Sequence, residues 1–252
     1  MEWFASLIGL PVPEALFLVA AVLLAGVVRG FAGFGLTAVV VASSATILTP
    51  KELIPVCWML EATATALIVR GGLKEADKKV GIGLTMGSIV GMPIGLALTL
   101  ALPADGSKLT ALSLVLVLAL VQMANVRIAI LATNTGLYGS GVLGGIAYGL
   151  AGLGGMAVSL YVLASGRPAP AMRGSMILYM VFSALTAPFM LVFFGLLTEQ
   201  SLIRGAALMI PAAMGALLGA RFFTPESAKY YRPFCLTLLI VLSSAGIIRL
   251  LA

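Results

Sequence analysis

From Pro13 to Leu48 the chain stays apolar for far longer than one bilayer crossing, interrupted by the stretch Arg29-Gly30-Phe31-Ala32-Gly33-Phe34-Gly35. Similar runs fill the rest of the sequence, so 61% of residues are hydrophobic and 10% charged, with a mean hydropathy of +1.15. A soluble domain carries about 25% charged residues. No core can hide this excess of apolar side chains, so most must face lipid. At about 20 residues per crossing, 252 residues leave room for roughly eight to ten membrane segments and short loops. The chain reads as an all-α polytopic membrane protein, with the bilayer as its solvent.

The same composition removes whole classes of chemistry. Histidine is absent, which excludes histidine general bases, serine–histidine pairs and histidine metal sites. Cys57 and Cys235 lie far apart inside apolar runs and read as core residues. Neither a metal nor a cofactor is expected. The net charge of +6 reports cytoplasmic loops rather than nucleic acid. The start Met1-Glu2-Trp3-Phe4 lacks a positive n-region, so no cleaved signal peptide is expected.

Punctuation divides the runs. The first reads as two pieces, about 14–29 and 34–48, with the glycine break between them. Pro50-Lys51-Glu52 opens a helix over about 52–70, and a charged loop from Arg70 to Lys79 precedes another over 80–102. A turn at Pro103 to Gly106 leads to a helix over about 107–131, and Asn134-Thr135-Gly136 opens a second series. That series gives pieces at about 137–151, 154–165, 170–194, 200–223 and 227–250.

The second series repeats the first. Gly26, Gly30, Gly33 and Gly35 align at one offset with Gly145, Gly149, Gly152 and Gly154, and Gly87-x3-Gly91-x3-Gly95 matches Pro211-x3-Gly215-x3-Gly219. Repeats over 1–133 and 134–252 are therefore expected, each a broken or re-entrant helix pair plus three transmembrane helices. An odd number of crossings per unit turns the second copy upside down. Arg70, Lys74, Lys78, Lys79, Arg127, Arg167, Arg173, Arg221, Lys229 and Arg232 then share one face, against Lys51, Lys108, Arg204 and Arg249 on the other. This positive-inside bias favours inversion and places both termini outward, on the periplasmic side of a bacterial inner membrane.

Inverted repeats with helices broken at mid-membrane are a common transporter architecture. A break frees backbone N–H groups, and the dipole of the following half-helix adds partial positive charge. The starts at Phe34-Gly35 and Gly154-Gly155 suit a small oxyanion. Arg29, beside the first break, offers a bidentate guanidinium, or else snorkels to an interface. Its repeat counterpart is Tyr148. Glu61, with Cys57 and Thr65 on its helix face, either neutralises Arg29 or carries a coupling proton. Ser175, Tyr179 and Ser183 form a stripe at i, i+4, i+8 that lines a pathway or glues helices. The glycines of 83–95 read as packing residues. The candidate substrate-binding set is Arg29, Gly30, Gly33, Phe34, Gly35, Tyr148, Gly152, Gly154, Gly155, Ser175 and Tyr179, with Glu61 for coupling.

Arg-Gly-Phe-x-Gly-Phe-Gly at 29–35 and Gly-Leu-Ala-Gly-Leu-Gly-Gly at 149–155, the latter followed by Ala-Ser-Gly-Arg-Pro, resemble the sulfite exporter TauE/SafE family of membrane permeases. The resemblance covers nearly the whole chain. It implies transport, often export, of sulfur-containing anions such as sulfite, sulfoacetate or other sulfonates. One departure is that Met156-Ala157 stands where many members carry prolines after the second motif. A non-catalytic subunit of a larger permease, or a carrier of a different small carboxylate or oxyanion, are the alternatives. A membrane-embedded enzyme is disfavoured, since Asp77 and Asp105 lie in loops. Homo-oligomerisation stays open.

Overall fold

The computed structural model describes residues 2–72, 76–125, 133–165, 168–222 and 228–251. Among them the chain is helical throughout: α1 (Glu2–Ile8), α2 (Val12–Ala32), α3 (Leu36–Ser44), α4 (Pro50–Gly72), α5 (Lys78–Ala101), α6 (Ala104–Met123), α7 (Asn134–Ala151), α8 (Gly154–Ala164), α9 (Ala169–Phe193), α10 (Glu199–Phe222) and α11 (Ala228–Leu251). Six of these, α2, α5, α6, α9, α10 and α11, contain stretches long and apolar enough to cross a membrane. The protein is a multi-pass membrane protein.

Local chemistry sets the boundaries. Glu52 caps the start of α4, its carboxylate accepting from both the N–H and the hydroxyl of Thr49 at 3.0 Å. Asp77 accepts from the amides of Lys79 and Val80 to start α5. Thr133 accepts from Gly136 N–H to start α7, so Asn134-Thr135-Gly136 is the first helical turn and the piece expected from about 137 begins at Asn134. Two more expectations shift. The helix expected over 107–131 begins at Ala104 and ends at Met123, with Asn125 at positive φ, and 126–131 lie outside the described residues. The piece expected over 34–48 is helical only over Leu36–Ser44. Helix α1, unexpected from the sequence, is tied down by Arg204, whose Nε donates to the Ile8 carbonyl at 2.7 Å while Nη1 meets Glu52 at 2.8 Å.

Glycines weld two helix pairs together, and each pair takes one member from each half of the chain. Helix α2 packs most extensively on α10, and α7 on α5. A Cβ on Gly26 would lie 3.0 Å from Gly215 Cα, and one on Gly30 would lie 2.8 Å from Gly219 Cα. Likewise a Cβ on Gly87 would lie 2.9 Å from Gly141 Cα, and one on Gly149 would lie 2.7 Å from Gly95 Cα. Neither helix could approach its partner so closely with a side chain in the way. In both pairs the residue numbers rise together, so the paired helices run parallel. The Lys51 ammonium donates to the Leu100 carbonyl at 3.3 Å, which sets the start of α4 beside the end of α5. The Asp77 N–H donates to Ser175 Oγ at 3.0 Å, joining the starts of α5 and α9.

Candidate functional site

Both breaks are built by glycines in the left-handed region, which other residues enter at a cost. Gly33 (φ 75°) ends α2 and its N–H donates to the Arg29 carbonyl at 2.9 Å. Gly152 (φ 73°) ends α7 and its N–H donates to the Tyr148 carbonyl at 2.6 Å. Arg29 and Tyr148 therefore occupy equivalent places, one turn before each break. Gly35 (φ 93°) starts α3, whereas α8 starts after Leu153 with an ordinary φ of −90°.

The breaks frame a cavity of about 50 Å³. A single buried water needs about 10–15 Å³, so this space takes one small oxyanion or a few waters. Its ends are Phe34, Gly35 and Thr37 from the first break and Gly152, Leu153 and Gly155 from the second. Its walls come from the middles of α4 and α9, with one spacing in both: Cys57, Trp58, Glu61, Ala62, and Tyr179, Met180, Ser183, Ala184. The Trp58 indole N–H donates to the Ala184 carbonyl at 2.9 Å and ties the walls together.

The two sides differ in charge. On one, Arg29 Nε lies 3.2 Å from Glu61 Oε2. Glu61 Oε1 accepts from Thr37 Oγ1 at 3.2 Å and from the Thr37 N–H, in the first turn of α3, at 3.4 Å. The carboxylate thus takes the helix start and the guanidinium together. Arg29 Nη2 also reaches Met180 Sδ at 3.0 Å, while its Nη1 is buried without a hydrogen-bond partner. On the other side stand hydroxyls. The Tyr148 hydroxyl is buried without a partner, and the Tyr179 hydroxyl meets Ser88 Oγ at 3.3 Å. Arg29 has 2% of its side chain exposed, so it does not snorkel; Glu61 has 28%, on the cavity side.

Of the residues expected from the sequence, Phe34, Gly35, Tyr148, Gly152, Gly155, Tyr179 and Glu61 line the cavity, and Arg29 reaches it through Glu61. Four others serve elsewhere. Gly30 lets α2 meet α10, and Gly33 shapes the turn. A Cβ on Gly154 would meet the Tyr179 hydroxyl at 2.9 Å, so this glycine lets α8 pack against α9. Ser175 bonds the Asp77 backbone and takes no part in lining. Thr37, Trp58 and Met180 are lining residues the sequence did not single out. Thr37, the first hydroxyl after the break, carried a usable signal; Met180, apolar among apolar residues, carried none.

The family model described as sulfite exporter TauE/SafE matches residues 18–245, a span that includes both breaks, both walls and both welded pairs. No curated protein and no solved structure gave a match. With nearly the whole length matched, the chain belongs to the sulfite exporter TauE/SafE family and is a membrane transporter, not an enzyme.

Proposed function

We propose that the protein is a secondary transporter, working as an exporter, of small sulfur-containing anions such as sulfite, sulfoacetate or other short sulfonates. The carrying observation is the cavity at the two breaks, where a buried guanidinium, the start of α3 and the unpartnered Tyr148 hydroxyl converge. Three donors of different direction suit the three oxygens of a sulfonate or sulfite. The small volume favours a head group with little or no tail. Because the donors now hold a carboxylate, a small carboxylate substrate is the second reading.

The two halves are best read as inverted repeats. Helix α2 runs parallel to α10, whose Arg204 near its start meets Glu52 at the start of α4. Helix α5 returns against α4, since Lys51 meets Leu100. Helix α7 follows α5, and so runs opposite to α2. The ends of α4 and α10 then share one face, which the lysines and arginines make cytoplasmic in an inner membrane, with both termini on the other.

The test is flux into liposomes holding the purified protein alone. Saturable sulfite or sulfoacetate movement supports the reading. No movement of any small anion, from folded protein, favours a subunit that needs a partner chain.

A further inference from the structure

The Glu61 carboxylate occupies the place an incoming anion needs. It draws on the Thr37 N–H, the Thr37 hydroxyl and the Arg29 guanidinium, which are the donors an oxyanion would use at that helix start. An added anion would put two negative groups against one guanidinium in about 50 Å³, and like charges in one site disfavour joint ionisation.

We propose that substrate anion and Glu61 carboxylate are alternative occupants of one set of donors, so that a monoanion binds only together with a proton on Glu61. This rests on the reading of the cavity as an anion site. The step needs no covalent chemistry. A proton from water adds to a Glu61 oxygen, the contact with Arg29 opens, and the guanidinium and the α3 start pass to the anion. The neutral carboxyl then has an O–H to donate to its replacement. Load and site stay balanced: the closed pair sums to zero, and so do the guanidinium and the monoanion with the carboxyl neutral. A dianion, such as sulfoacetate or fully ionised sulfite, leaves one charge that this site does not neutralise, so within the proposed class the singly charged anions, hydrogensulfite and monosulfonates, bind best.

The groups facing Glu61 do not supply another proton site. Around the cavity they are Arg29 on α2, Cys57 on α4 itself, Tyr148 on α7 and Tyr179 on α9, with Thr37 on α3 not titratable. None of the lining residues comes from α5, α6 or α10. On the other side, Tyr148 and Ser183 stand where Arg29 and Glu61 stand on this one, and both are neutral. One proton per anion follows.

The experiment is calorimetric titration of the purified protein with methanesulfonate, a monoanion throughout, in buffers of differing ionisation enthalpy over about pH 5 to 9. The expected result is uptake of one proton per bound anion wherever the free carboxyl is ionised. Apparent affinity then falls about tenfold per pH unit on that alkaline side. Glu61→Gln should bind with no proton uptake and no such slope. Wild-type binding without proton uptake at every pH overturns the coupling and leaves the anion site standing. Sulfate binding more tightly than methanesulfonate overturns the charge selection. Failure of both methanesulfonate and sulfite to bind folded protein overturns the anion site itself. The wild-type titration decides the matter even where the variant folds poorly.

Discussion

Arg29 Nε and Glu61 Oε2 face each other at 3.2 Å across the first break, one side chain on the helix that ends there and the other midway along α4. The pair is buried on the arginine side and open to the cavity on the carboxylate side. That asymmetry makes Glu61 the member able to change partner, while Arg29 stays fixed.

Arg29→Ala should weaken binding of sulfite or methanesulfonate at least tenfold, because hydrogen bonds from charged groups contribute roughly 1.5–3 kcal/mol. Arg29→Lys should restore part of this, keeping the charge and losing the fork. The stability loss should fall below the roughly 3–5 kcal/mol of a fully buried pair, since Glu61 keeps its access to the cavity. Affinity measurement beside a thermal melt separates the two effects. Wild-type affinity in folded Arg29→Ala would place the anion elsewhere.

Tyr148→Phe separates binding from folding more sharply. The hydroxyl is buried and unpartnered, so its removal should leave the melting temperature unchanged or raised. If that hydroxyl bonds the anion, affinity should fall by about five- to tenfold, the worth of about 1 kcal/mol or slightly more. A lowered melting point with unchanged affinity would make Tyr148 purely structural.

Valine at the weld positions should be costly in both pairs alike. Gly30→Val meets the backbone of Ala216 and Gly219, and Gly149→Val meets that of Gly95 and Leu96. Backbone cannot move aside, so each should cost about 1–3 kcal/mol or more. Gly139→Ala, with open space around its Cβ, should be neutral or stabilise by up to about 1 kcal/mol. Thermal melts of the three variants check the contrast, and equal melts would remove the weld.

Cysteines placed at Lys78 and Arg221 should both label from the cytoplasmic side, since they flank the joints of α4 to α5 and of α10 to α11. An impermeant maleimide applied to intact cells and to inverted vesicles reads this directly. Labelling of the two from opposite faces would defeat the inverted arrangement.

Glycines and charges made the fold legible because each has few uses inside a bilayer. Gly33 and Gly152 betrayed the breaks by their position in apolar runs, and both take the left-handed conformation. The Gly87, Gly91 and Gly95 ladder was rightly read as packing. Its partner helix was hidden, because small-residue spacing says that a helix is approached closely but not by which neighbour. For that reason Gly30 looked like a site residue when its task lies against α10. The site was legible where polarity stood out against apolar sequence, at Arg29, Glu61 and Tyr148. Ser175 misled because a serine on a helix stripe bonds backbone as readily as substrate, here that of Asp77. Thr37 and Met180 depended on the angle at which α3 and α9 arrive, which no local pattern encodes.

The welded pairs also dictate an order of assembly. When α2 enters the bilayer its glycine face has nothing to meet, because α10 lies near the far end of the chain. Until Gly215 and Gly219 are synthesised, that face must tolerate lipid, and the Arg29 turn beside it waits unbraced. Neither half holds its own closest partner, so neither should be a foldable unit by itself. Two separate copies of such a half could still complete one another, lying head to tail in the same membrane.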